Sequence, residues 1–219
     1  MSSPRSYHSP AREEAARQTR RRMVMAAHAL FVERGYAGTT IDAVAEQAGV
    51  SRRTVFSSVG SKVELLKTAW DWGVVGDDQP IAVADRPEIA RMREVRDPET
   101  LVELWVDQIL RVGDRVGQLA AVLARAVDAD PEAAALQERI DVERRTGAAM
   151  FVAGLAAIGG LRADVSEREG ADMAWVLMNP LLVRRLREER DWTDDQVRTW
   201  LRRLTKASLL TDRPSGASL

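Results

Sequence analysis

At 219 residues the chain is long enough for one large or two modest domains with a real hydrophobic core, and its 45% apolar and 30% charged residues are ordinary for a soluble globular protein. Cys is absent, which excludes disulfides, thiolate metal sites and cysteine nucleophiles and fits a reducing cytoplasm. Net charge is only −1, yet residues 1–62 hold ten Lys/Arg against five Asp/Glu while the rest hold 22 against 28, a basic N-terminal third suited to a polyanion.

Good helix formers dominate, Pro numbers only 8, and strand-rich apolar runs are missing, so an all-α fold of about nine helices is expected. Residues 1–11 lack the apolar core of a secretory signal and read as a disordered leader. From Arg12 to Arg34, Met23, Ala27, Leu30 and Phe31 recur at helical spacing, with Gly35 as the stop. Thr39 or Thr40 caps a short helix carrying Ile41, Val44, Ala45 and Ala48, which Gly49 ends; Ser51 caps another to about Ser57. Ser61 and Glu64 form a capping box opening a helix to about Trp72, and Gly73–Pro87 reads as a connector.

Two later starts share one device, Asp97-Pro98 and Asp130-Pro131, each an N-cap followed by Pro at the first helical position. Gly113 and Gly117 are expected to break or bend the first of these helices. The second runs to about Ile158, and its apolar stretch Ala148–Gly160 is too short and glycine-rich to span a membrane. Ser166 opens the next helix with a capping box, which Asn179-Pro180 either kinks or restarts. Thr193 caps a last helix through about Leu210, and residues 211–219 read as a disordered tail.

Residues 40–58 thus hold two short helices about a glycine turn, a helix-turn-helix pattern. Small or β-branched residues are needed where the helices cross, and Ala45, Val50 and Val55 supply them. The second helix offers Arg52, Arg53, Thr54, Phe56 and Ser57 to a DNA groove.

The pattern extends well beyond twenty residues. Thr19-Arg20, Ala26-Ala27, Leu30-Phe31, Gly35-Tyr36, Thr39-Thr40, Ala45, Ala48-Gly49-Val50-Ser51, Thr54-Val55-Phe56, Ser61-Lys62 and Leu65 together resemble the N-terminal domain of the TetR family of bacterial transcriptional regulators. Departures lie at Phe56, where Tyr is frequent, and at Ser57, Ser58 and Val59, where the family often has two aromatics. Geometry assigns Arg52 and Arg53 to base edges and Thr54, Phe56 and Ser57 to bases, sugar or phosphate, and Ser51, at the cap, is a further candidate DNA contact. The resemblance implies a phosphate clamp at Thr39 and Thr40 and a backbone-gripping Lys62, while the Arg20-Arg21-Arg22 run suits general phosphate attraction.

It implies further a division into a helix-turn-helix domain at 12–60, a connecting helix at 61–75 and an effector-binding and dimerisation domain at 76–210. The expected partners are a near-palindromic double-stranded operator, a second copy of the chain and a mostly apolar small-molecule effector, with no cofactor and no metal. Trp105, Gln108, Met150, Phe151, Trp175, Met178 and Asn179 are the candidate pocket residues, and Ala171, Ala174, Trp200, Leu201 and Leu204 the candidate dimer residues. Two rivals are a protein of the same fold with a nucleoid or division role and no effector, and a helical enzyme using carboxylates. Against the enzyme, only His8 and His28 are present and no glycine-rich phosphate loop follows a strand. The expected setting is the cytoplasm, at the nucleoid.

Overall fold

The computed structural model describes residues 10–211, which form ten α-helices, one 3-10 turn and no strand. The first helix, α1 (Pro10–Gly38), starts before Arg12, so Pro10 and Ala11 belong to it and not to the leader. The rest of the expected leader, residues 1–9, lies outside the described residues. Helical geometry breaks inside α1 where the glycine predicts, at Gly35 (φ 72°, ψ 176°), a conformation without penalty only for a residue lacking Cβ.

Next come α2 (Ile41–Ala48), α3 (Arg52–Ser58) and α4 (Lys62–Val75), each opened by its own hydroxyl cap: Thr40, Ser51 and Ser61. At Gly73, α4 meets α6 so closely that a Cβ there would lie 2.6 Å from Val116 Cγ1. The connector after α4 ends in an unexpected short helix, α5 (Pro87–Glu94). No residue of α5 is fully buried, so it carries no apolar stripe to announce it. The loop before it is held by Arg86, whose guanidinium donates to both Asp77 carboxylate oxygens at 2.6 and 2.9 Å.

The body is built on α6 (Pro98–Ala126) and α7 (Pro131–Ala157), with the expected Asp caps and first-turn prolines. Contrary to expectation, α6 runs through Gly113 and Gly117 without a break. Its buried stripe, including Leu101, Trp105, Ile109, Val116, Leu119 and Leu123, outweighs the roughly 1 kcal/mol each glycine costs.

After α8 (Glu167–Leu177), Asn179 accepts the Leu181 N–H at 3.0 Å and Pro180 begins α9 (Pro180–Arg190), a restart and not a kink. The last helix, α10 (Asp194–Leu209), packs on α6, α8 and α9. Thr211 belongs to the folded body: its N–H and hydroxyl donate to the carbonyls of Gly160 and Leu161, both at 3.0 Å. The remainder of the expected tail, residues 212–219, lies outside the described residues.

Two cores hold these helices together. One joins Met23, Leu30 and Phe31 of α1, Val55 of α3 and Leu65 of α4 to Leu119 and Leu123 of α6 and Leu136 and Ile140 of α7. The other gathers Leu101, Trp105, Phe151, Leu155, Leu177, Val183, Leu201 and Leu209. Packing therefore divides within α6 and α7, and the first core runs continuously across residues 60 and 76.

Candidate nucleic-acid interface

The helix-turn-helix is rigid because its small residues sit where the helices meet. Val44, Ala45 and Ala48 of α2 and Val55 of α3 are buried, with Val50 packed against them. The Gly49 N–H donates to the Glu46 carbonyl at 3.1 Å, and the Val50 N–H to Ala45 at 2.9 Å. This tight turn leaves the first turn of α3 facing outward.

Its polar side chains divide into committed and uncommitted groups. Ser51 Oγ accepts the Thr54 N–H at 3.1 Å and lies 2.8 Å from Thr54 Oγ1; Ser57 Oγ donates to the Thr54 carbonyl at 3.2 Å. Arg52 reaches back to Asp42 of α2 at 2.8 Å, with its guanidinium carbon 5.5 Å from the centre of the Phe56 ring. That ion pair is exposed on both sides, so it is worth at most about 1 kcal/mol and a phosphate or guanine can displace it. Arg53 is exposed and has no ion pair among the described residues. Phe56 is 45% exposed, an apolar surface suited to a thymine methyl or sugar.

Thr39 and Thr40 separate into two roles. Thr40 Oγ1 accepts the Ala43 N–H at 3.1 Å at the exposed N-terminus of α2, whose first-turn N–H groups favour an anion. Thr39 is 1% exposed and donates its hydroxyl to the Gly35 carbonyl at 2.8 Å, so it braces the α1–α2 corner instead of facing solvent. Lys62 is held against α1. Its Nζ donates to the Tyr36 carbonyl at 3.1 Å and sits 4.0 Å from the centre of the Tyr36 ring. Beside it, the Glu64 carboxylate accepts the Ser61 N–H at 2.7 Å, so the N-terminus of α4 is already occupied by a negative group.

A family model described as bacterial regulatory proteins, tetR family, matches residues 24–69, from within α1 to within α4. Over those residues the chain is similar to the TetR family of regulators. No curated protein sequence matches it. Among solved structures it is similar to NalD of Pseudomonas aeruginosa, the secondary repressor of the MexAB-OprM multidrug efflux pump, at 19% identity and a TM-score of 0.67, over 90% of this chain and 98% of that one. Salmonella enterica GusR gives 18% and 0.66, over 88% and 95%. The SmeT–triclosan complex gives 18% and 0.63, over 89% and 93%. At these identities the likeness establishes the fold alone, and it extends across the body.

Among the candidate pocket residues, Trp105 and Phe151 are buried in the second core and Trp175 and Met178 pack against it. Trp105 and Phe151 stack face to face, centroids 4.1 Å apart, in the second core. Met150 is 51% exposed, because it precedes the inward-facing Phe151 by one residue on α7 and so lies on a different side of the helix. Trp175 has the guanidinium groups of Arg144 and Arg145 at 5.7 and 5.8 Å from its ring, and its buried Nε1 has no hydrogen-bond partner among the described residues. Burial lowers the pKa of Arg144, and Asp141 opposes that shift through a 2.7 Å bond. Met178 packs near Gly147, Gln108 accepts from Arg111, and Asn179 is the α9 cap already described.

Four of the five candidate dimer residues lie in or against that same core. Ala174 and Leu201 are 0% exposed within one subunit, filling its core, and Trp200 and Leu204 pack against the same core. Ala171 instead lines a depression of about 330 Å³ between α7 and α8, with Arg145, Ala149, Glu167, Arg168 and Asp172. The apolar side chains left in solvent here are Val142 and Met150 on α7 and Met173 and Val176 on α8. Sequence reasoning named only Met150 of these, as a pocket residue, because exposure depends on which face of α7 and α8 the core takes; their spacing along each helix was the available signal.

Proposed function

We propose that the chain is a homodimeric repressor whose residues 12–60 read a near-palindromic operator, whose residues 61–75 connect, and whose residues 76–210 dimerise and receive a small-molecule effector. The observation that carries the DNA-reading part is the exposed first turn of α3, where Arg53 stands unpaired among the described residues and Arg52 is held only by a surface ion pair. Of the nine candidate DNA contacts, Thr40, Ser51, Arg52, Arg53, Phe56 and Ser57 are exposed. Ser51 and the half-buried Thr54 order the helix start, while Thr39 and Lys62 brace the domain.

Dimerisation falls to the α7/α8 pair. Val142, Met150, Met173 and Val176, at 41–54% exposure, form the apolar surface that a second copy would cover by two-fold symmetry. Two recognition helices held in that way meet half-sites about one DNA turn apart. An effector that binds another spacing better shifts the population and releases the operator. SmeT is known with triclosan bound, and NalD is the secondary repressor of an efflux pump, which supports a mostly apolar effector here. One observation favours a second reading, DNA binding without an effector: the Trp105–Phe151 stack fills the space between α6 and α7.

Footprinting of the purified chain on DNA upstream of its own gene, repeated over a salt series, tests the proposal. Protection of a palindrome with steep salt dependence is expected; absence of sequence-selective protection there and in a genomic selection overturns it. Adding apolar aromatic compounds to the bound complex then separates the readings, because release supports an effector and unaltered protection favours the second.

A further inference from the structure

Asp42 puts a negative charge beside the candidate interface. It is the second residue of α2, in the first turn of a helix whose exposed N–H groups suit an anion. A carboxylate there repels phosphate unless a cation accompanies it. Arg52 is that cation. It is the first residue of α3, ten positions along the chain, and its Nη1 donates to Asp42 Oδ2 at 2.8 Å across the turn. The two side chains are 60% and 66% exposed, so the pair contributes little to the fold.

The contact leaves most of the guanidinium unused. Nη1 is its one hydrogen-bonding nitrogen among the described residues, and the Nε–Nη2 edge stays open. Phe56, a turn further along α3, has its ring centre 5.5 Å from the guanidinium carbon, within cation–π range. Arg52 is thus held from two sides, by a charge on α2 and by a ring on its own helix. Its neighbour Arg53 has no ion pair among the described residues. A long side chain ordered before binding loses less freedom on binding. That favours a contact demanding one orientation, and the paired O6 and N7 acceptors of guanine demand one.

The geometry points to Asp42 as a positioning residue for base reading: it fixes Arg52 through Nη1, presents the Nε–Nη2 edge to a guanine, and keeps the guanidinium from swinging to a neighbouring phosphate. This rests on the regulator reading above. Weak as the pair is, a guanine on the free edge has no need to displace it. Asp42 then acts on specificity twice, by orienting the cation toward one base and by penalising duplexes that offer only phosphate.

The test uses the full chain with Asp42→Asn, Asp42→Glu, Arg52→Ala and the double variant Asp42→Asn/Arg52→Ala. Each is put through selection on randomised half-sites, titration with the selected operator and an unrelated duplex, and thermal unfolding. Arg52→Ala should lower preference at one base position by about tenfold or more, the discrimination of a lost bidentate contact. Asp42→Asn should lower preference at that same position by roughly three- to tenfold, a part of the same contact, and leave the other positions alone. Asp42→Glu should keep part of the preference, and the unrelated duplex should bind Asp42→Asn more tightly, since a negative charge has gone. In the Arg52→Ala background the Asp42 change should have no further effect on base preference. Unaltered preference in Asp42→Asn, whether or not the melting temperature falls, overturns the proposal and leaves Asp42 a helix-start charge. A loss spread over all positions, or one that persists without Arg52, overturns it as well. Failure of the unaltered chain to select any operator is a different result, and it removes the regulator reading itself.

Discussion

Arg52 and Arg53 are neighbours in sequence with unlike surroundings. Arg52 is held by Asp42 and lies by Phe56, whereas Arg53 is unpaired among the described residues. Arg53→Ala should relax preference at one operator base by about 1–3 kcal/mol, read by selection on randomised half-sites. Lys62→Ala should act on the fold, because Nζ ties α4 to the Tyr36 carbonyl and covers its ring. A stability loss of about 1 kcal/mol in denaturant is expected, and an unchanged midpoint with weaker binding to every duplex would return Lys62 to the phosphate role. Within α1, His28 is a pH-sensitive residue. Burial lowers the pKa of His28 below 6.5, so the folded chain prefers the neutral imidazole and the unfolded chain takes up the proton first. The His28 contribution is complete above 6.5 and fades as pH falls through the folded value. Melting temperature should drop on acidification below 6.5, and less so in His28→Asn.

At the scale of elements, caps were legible and breaks were not. Thr40, Ser51, Ser61, Asp97, Asp130, Ser166 and Thr193 all bond the N–H groups that the sequence pattern assigns to them. Such bonds span three residues at most, so local sequence suffices. Asn179 shows the limit of that logic: the same Asn-Pro pair was a candidate ligand group, and the structure uses it to start α9. Asn179→Ala should cost about 1 kcal/mol while Asn179→Asp retains most of it, measured by thermal unfolding. Glycines were misjudged because their cost is small against tertiary burial. Gly113 and Gly117 leave α6 intact, while Gly73, read only as connector, sits where α4 meets Val116. Gly73→Val should destabilise by about 1–3 kcal/mol through overpacking against a side chain that is 1% exposed.

For the whole molecule, the first core couples reading head and body through α1 and α6 as well as through α4. The packing of Phe31 and Leu30 in one core with Leu119 and Leu123 means that movement of α6 is felt in the DNA-binding helices without passing along the connecting helix. A Lys67 latch adds to this, bridging Asp71 on α4 and, at 2.9 Å, Glu143 on α7; burial raises the pKa of Asp71. The proposed dimer is testable at this scale. Val176→Asp with Met173→Asp should convert the chain to monomer in sedimentation equilibrium and weaken operator binding, since two linked half-sites become one. The double variant of Trp200 and Leu204 to Ala should instead lower stability, because these side chains pack within the subunit.

The sequence by itself determined the helical class, most helix starts, the TetR-type reading head and the sign of its charge. These follow from short-range rules: caps over three residues, apolar spacing over one helix, and a motif of about fifty residues without gaps. Only the tertiary structure decided which faces the core takes. That choice turned Met150 outward, enclosed Ala174 and Leu201, stacked Trp105 on Phe151 and drew Thr39 and Lys62 into bracing roles. An amphipathic pattern says that a helix has a buried side, but two long helices with apolar residues on more than one face can pack in several ways. The free energy of filling the whole interior selects among them.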